Sequence, residues 1–195
     1  MYVELRKNFE EYDQNIETRK KEAEEIYKEI QQGIKSDEEK LVKRHAFAGL
    51  LWSKQFYHYN VEKWLDGDPA EVKPPESRKK IRNYEWENLD SLNIISMPDK
   101  WEYPWFATWD LAFHTIGFSL IDSDFSKDQL RLLTLDWFMH PNGQLPAYEW
   151  DFSDVNPPVH AYAAFRVYKI DETLKGKPDI EFLEAIFQKL LMNFT

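Results

Sequence analysis

Residues 158–194 read PVHAYAAFRVYKIDETLKGKPDIEFLEAIFQKLLMNF, and they carry helical apolar spacing twice, at about Pro158 to Asp171 and again at Pro178 to Phe194. Pro158 suits the first turn of the first segment, where a missing N–H removes no helical hydrogen bond. Two further segments of the same kind precede them, at about Trp109 to Leu120 and Lys127 to Met139, with Ser126 placed as N-cap of the second. Short connections between amphipathic helices favour antiparallel neighbours. The expected fold class is therefore all-α, built from antiparallel helical hairpins.

Between Trp64 and Pro104 the pattern changes. DGDPAEVKPPESRKK holds three of the ten prolines, and neither a period of 3.6 nor one of 2 persists. A structureless loop of that length is uncommon inside a compact domain, so a lid-like functional insertion is expected at about 65–104. Further back, a helix is expected from about Asp37 to Tyr59, opened by the capping-box pair Ser36 and Glu39. Gly33 ends a preceding charged amphipathic helix at about residues 4–32, whose narrow apolar stripe suits one packed edge better than a sustained coiled coil. The expected organisation is an N-terminal helix over residues 1–35 and a domain over 36–195.

Composition bounds the function. A net charge of −10 over 195 residues argues against nucleic acid and anionic membranes, both of which require a concentrated positive field. The absence of cysteine excludes disulfides and thiolate chemistry. MYVELRKNFEEYDQ is too charged for a signal peptide, and no apolar run approaches the roughly 20 residues of a membrane span, so a cytoplasmic location is expected. The C-terminal helix is still apolar in its last turn, which suggests further material or self-association through Phe182, Phe187, Leu190 and Leu191, as a homo-oligomer or with a complementing chain.

Two stretches concentrate chemistry. In MPDKWEYPWFATWDLAFH, residues 97–114, Trp101, Tyr103, Trp105, Phe106 and Trp109 crowd Glu102 and Asp110. Aromatic faces with a few fixed polar groups describe a ligand pocket, and stacking on pyranose rings makes carbohydrate the first ligand to consider. The alternative is a core of aromatics with Asp110 capping the next helix. Desolvation by the rings would raise the Asp110 pKa and suit a general acid, whereas a helix N-terminus would favour the charged form. His114 lies one turn beyond Asp110, where a satisfied core histidine is the commoner role. In HPNGQLPAYEWDFSDVNPPVHAYA, residues 140–163, prolines stiffen a loop rich in His, Asn and carboxylates. Its spacing does not match a calcium loop, and no phosphate loop, nucleophile elbow or zinc-protease motif is present, so neither a metal nor a cofactor is expected.

At these stretches the sequence resembles glycoside hydrolase family 63, which includes processing α-glucosidases and glucosylglycerate or mannosylglycerate hydrolases. EYPWFATWDLAFH resembles its acid-bearing motif, and NGQLPAYEW with NPPVHAYAA its following loop and inner helix. AFAGLLWSKQFYHYNVEKWL resembles early barrel helices of a microbial branch. The resemblance implies part of an (α/α)6 barrel of the six-hairpin type and an inverting α-glycosidase acting on a small glycoside or oligosaccharide. It assigns the general acid to Asp110 and makes Trp105, Trp109, His114, Gln144, Tyr148, Glu149, Asn156 and His160 substrate-binding candidates. The family's base, a glutamate in the C-terminal part of the barrel, has no counterpart here, which implies an acid-bearing fragment. The competing expectation is a non-catalytic carbohydrate-binding or helical interaction module.

Overall fold

The structure, a computed structural model, describes residues 11–81, 83–97, 101, 105–149, 152–154 and 156–194. The chain divides into two compact units, Met1–Ala48 and Gly49–Thr195. In the first, α1 (Tyr12–Ile30) buries no residue and is followed by Gly33 at φ +84°, which turns the chain. α2 (Asp37–Trp52) begins after Ser36, whose Oγ accepts from Glu39 N at 3.4 Å, and it continues past the division between the units. Within the first unit the Arg44 guanidinium pairs with Glu24 at 2.7 Å and lies over the Tyr27 ring at 4.6 Å. Lys43 Nζ donates to the Ile30 carbonyl at 2.7 Å.

The second unit corrects the all-α expectation. Helix α2 ends at Trp52 rather than Tyr59, and Lys54–Asn60 forms strand β1, paired antiparallel with β2 (Asp90–Ser96) from Lys54↔Ser96 to Asn60↔Asp90. KQFYHYN alternates: Tyr57 and Tyr59 turn inward while Phe56 and His58 face out, a period of two that aromatic residues favour on a pleated surface. The expected insertion thus supplies half of a sheet. Between the strands lie the short helix α3 (Val61–Asp66), N-capped by Asn60, and a 3-10 turn at Glu76–Lys80. The described residues therefore form a mixed α/β arrangement of helices and a two-stranded antiparallel sheet, not the all-α set of helical hairpins expected for part of an (α/α)6 barrel.

Four helices follow: α4 (Thr108–Phe118), α5 (Ser123–Leu132), α6 (Val159–Lys175) and α7 (Ile180–Asn193). The N-cap of α5 is Asp122, which accepts from Phe125 N at 2.9 Å; Ser126 lies inside the helix and donates to the Asp122 carbonyl. Helix α4 packs against α5 and α6, and α6 packs on α7. One apolar core joins the sheet to α4 through Tyr57, Ile95, Phe106, Leu111 and Phe138. A second lies among the helices and includes Ala112, Leu130, Val167, Phe182 and Leu190. Phe182 and Leu190, expected on an associating face, are thus buried, while Phe187 and Leu191 are exposed.

Two contacts tie the second unit together and can be tested. Gly143 sits at φ +88°, and a Cβ there would run into the Met192 backbone carbonyl at the end of α7, whose neighbour Asn193 donates to the Gly143 carbonyl at 2.8 Å. Gly143→Ala is expected to cost about 2 kcal/mol or more, from backbone strain together with overpacking, measured as a lower urea midpoint.

At the far ends of the helices, the buried Lys127 ammonium contacts Asp171 at 3.1 Å, Asp179 at 2.6 Å and Asp124 at 3.0 Å. Burial opposes ionisation of Asp171, but Lys175, Ser123 and Lys127 outweigh it and hold the carboxyl at about 2. A carboxyl depressed on folding stabilises above its unfolded pKa, so this contribution is expected to fade as pH falls from 3.8 towards about 2. Lys127→Met leaves Asp171 buried with Lys175 and Ser123 as its remaining partners and is expected to cost about 1–3 kcal/mol at neutral pH, read by urea unfolding.

Candidate functional site

A pocket of about 530 Å³ opens beside β1, lined along the strand by Phe56, Tyr57, His58 and Tyr59. Tyr57, Tyr59, Trp64 and Trp105 supply its aromatic walls, and Asn83 and Glu149 its polar groups. Glu149 is buried; its Oε1 accepts from Tyr57 O–H at 3.0 Å and its Oε2 from Asn83 Nδ2 at 3.3 Å. Asn83 also donates to Tyr59 Oη at 3.3 Å, while its Oδ1 is buried with no hydrogen-bond partner among the described residues. Its φ of +72° is the left-handed conformation that asparagine tolerates better than most residues. Strain and an orphaned acceptor coincide at a pocket wall, a combination common at ligand sites.

The loop bearing Glu149 is zipped to the segment that enters α4. Thr108 N donates to the Ala147 carbonyl at 2.9 Å, Glu149 N donates to the Phe106 carbonyl at 3.4 Å, and Ala107 bridges Tyr148. Asp110 follows in the first turn of α4, half-buried, without a hydrogen bond or ion pair among the described residues. Burial pushes its carboxyl above the usual carboxylate range, and the neighbouring His114 only partly offsets this. Burial likewise pushes His114 down, against the field of Asp110. The His114 Nδ1 lies 2.9 Å from Ser96 Oγ.

The other residues singled out from the sequence are dispersed. Trp105 and Glu149 share the pocket; Asp110, Trp109 and His114 are not among its lining residues. Trp109 is exposed and meets Phe113 edge-on at 6.3 Å. Gln144 Nε2 braces the Phe152 carbonyl at 3.0 Å, and Tyr148 O–H donates to Asp154 at 3.2 Å. Asn156 Oδ1 is buried without a partner among the described residues. Glu102, Tyr103 and Asp151 lie outside the described residues, and Trp101 is almost fully exposed. Sequence reasoning missed Tyr57, Tyr59, Trp64 and Asn83; only the alternation in KQFYHYN signalled any of them. Among the described residues no group of three or more His, Asp or Glu is placed to hold a metal ion, and no helix is long and apolar enough to cross a membrane.

His160 belongs to the core of α6, where its Nε2–H donates to the Leu130 carbonyl at 2.9 Å. Burial lowers its pKa to about 4, with the Leu130 hydrogen bond acting the other way. The unfolded chain takes up this proton near 6.5 and the folded one only near 4. Stability is therefore expected to decline as pH falls through that interval. Urea midpoints across this range, compared with those of His160→Gln, check it; an equal slope in both proteins contradicts it.

Comparison with known proteins yields one informative match. The uncharacterized protein YMR196W of Saccharomyces cerevisiae is 53% identical over 188 residues, which cover 95% of this chain and 17% of that protein. The chain thus spans 17% of this relative's length. No family model and no solved structure matches.

Proposed function

We propose that this chain carries the acid-bearing site of a glycoside hydrolase of the family 63 type, with Asp110 as general acid for an inverting cleavage of a small glucoside or mannoside. The observation that carries the reading is the state of Asp110: half-buried, held in no ion pair among the described residues, and with its pKa raised by desolvation. A general acid must keep a proton near neutral pH, and a salt-bridged carboxylate does not. The pocket beside β1 supplies what a pyranose needs, with Trp64 and Trp105 to face its C–H surface and Asn83 and Glu149 to meet its hydroxyls. In inversion a second carboxylate about 6.5–9.5 Å from the acid activates water, a role that falls to a group outside the motifs that carry the resemblance.

A second reading, a carbohydrate-binding module without catalysis, is favoured by one observation: Asp110 does not line the pocket. Titrating monosaccharides and disaccharides against tryptophan fluorescence, alongside hydrolysis assays of glucosides and mannosides, separates the two. Trp64→Ala is expected to weaken sugar binding about 3- to 10-fold, equivalent to the loss of one aromatic contact. In a complete or complemented enzyme, Asp110→Asn is expected to abolish hydrolysis and leave binding largely intact. Full activity in that variant overturns the acid assignment, binding without hydrolysis in the complete or complemented enzyme favours the second reading, and no sugar binding overturns both.

A further inference from the structure

Ser96 closes β2 in complete burial, and its hydroxyl has two polar neighbours: His114 Nδ1 at 2.9 Å and Ser53 Oγ at 3.0 Å. Ser53 Oγ in turn donates to the Leu50 carbonyl at 2.6 Å. A serine hydroxyl carries one proton and donates once. Ser53 gives its proton to Leu50, so towards Ser96 it accepts. Ser96 has then used its own proton, so towards the imidazole it accepts as well. The chain runs in one direction only, from His114 Nδ1–H through two hydroxyls to a backbone carbonyl of α2. The backbone around it is fixed from two sides. Gln129 of α5 accepts from Ser96 N at 3.0 Å and donates to the Ile94 carbonyl at 2.9 Å, and Met97 N donates to the Ser53 carbonyl at 2.9 Å.

We propose that Ser53 and Ser96 are positioning residues that hold His114 as the neutral Nδ1–H tautomer, leaving Nε2 bare to accept a hydrogen bond from a ligand hydroxyl beside Asp110. The His114 Nε2 has no partner among the described residues and is not one of their sealed, unpaired atoms. The choice of partner decides the ring's charge. A carboxylate at Nδ1 would favour imidazolium, whereas a hydroxyl leaves burial free to keep the ring neutral. The packed elements add no opposing charge: α5 presents the neutral Gln129, and the buried histidine of α6, His160, is neutral above about 4. Asp110, on the ring's own helix, is the charged group whose field reaches it. A neutral ring matters to Asp110 in return, because an imidazolium one turn away would draw its carboxyl towards the charged form. The use of this device for a sugar hydroxyl rests on the glycosidase reading; the tautomer itself does not.

Long-range ¹H–¹⁵N spectra of the full chain test it, with the His114 signals assigned by their loss in His114→Gln. At neutral pH the unsubstituted protein is expected to show a protonated Nδ1 and a bare Nε2. Ser53→Ala is the sharp variant. It removes the acceptor for Ser96, whose freed hydroxyl proton then turns to Nδ1 and drives the ring to the Nε2–H form. Ser53→Thr retains the hydroxyl and is expected to retain the original tautomer. Nε2–H in the unsubstituted protein, or Nδ1–H persisting in Ser53→Ala, overturns the proposal. A merely structural serine would lower the melting temperature without changing which nitrogen bears the proton. Should Ser53→Ala fail to fold, the tautomer of the unsubstituted protein alone decides, and an absence of sugar binding overturns the glycosidase reading without moving these signals.

Discussion

Leu111 and Ala112 are consecutive on α4 and both fully buried, yet they belong to different cores. Neighbouring helical residues point about 100° apart, so a helix that buries both is clamped between two packed layers. Thr108, Thr115 and Phe118 extend the buried surface along the same element. The arc left over carries Trp109, Asp110, Phe113 and His114, and this constraint gives Asp110 its partial burial. Each fully buried large side chain contributes about 1.5–3 kcal/mol, so rolling α4 to expose the acid further would disturb both cores at once.

The sheet fixes the other wall. Tyr57 reaches both the buried core, edge-on to Phe106 at 6.2 Å, and the Glu149 carboxyl, so one side chain couples packing to the pocket's polar floor. Phe106 in turn packs on Phe138 at 5.1 Å and lends its carbonyl to Glu149 N. The pocket and the acid-bearing helix are therefore consequences of the same few contacts. They meet at the short stretch from Trp105 to Thr108.

What the sequence made legible follows the range of the interactions involved. Three of the helices after residue 104 were readable because their periodicity acts within a turn or two, whereas the one expected at Lys127 to Met139 with Ser126 as cap runs from Ser123 to Leu132 and is capped by Asp122. Asp110 stood out because its aromatic surroundings lie close in sequence, and Glu149 because its loop resembles a family motif. β1 was misread because FYHYN follows a helix without a Gly or Pro break, and its pairing partner lies beyond residues 61–89. Asn83 offered no local signal at all: its role arises from a left-handed backbone and from Tyr59 and Glu149, which only the fold brings to it. His160 was drawn into the site by its motif, whereas the α5 carbonyl it reaches makes it a core residue.

The same logic explains how a chain so rich in charge keeps an uncompensated acid. Lys127, Lys175, Asp124, Asp171 and Asp179 gather their charges into one network at the ends of α5, α6 and α7, where each carboxylate has an ammonium partner. His114 of α4 and His160 of α6 take neutral acceptors instead, a serine hydroxyl for His114 and a backbone carbonyl for His160. Near Asp110 the fold therefore supplies apolar surface and neutral dipoles in place of cations. A lysine or arginine at that position would stabilise the folded chain by an ordinary ion pair, but it would also ionise the carboxyl. A raised pKa on a helix whose N-terminal dipole favours the anion thus depends on keeping cations elsewhere, which is the environment a proton donor requires.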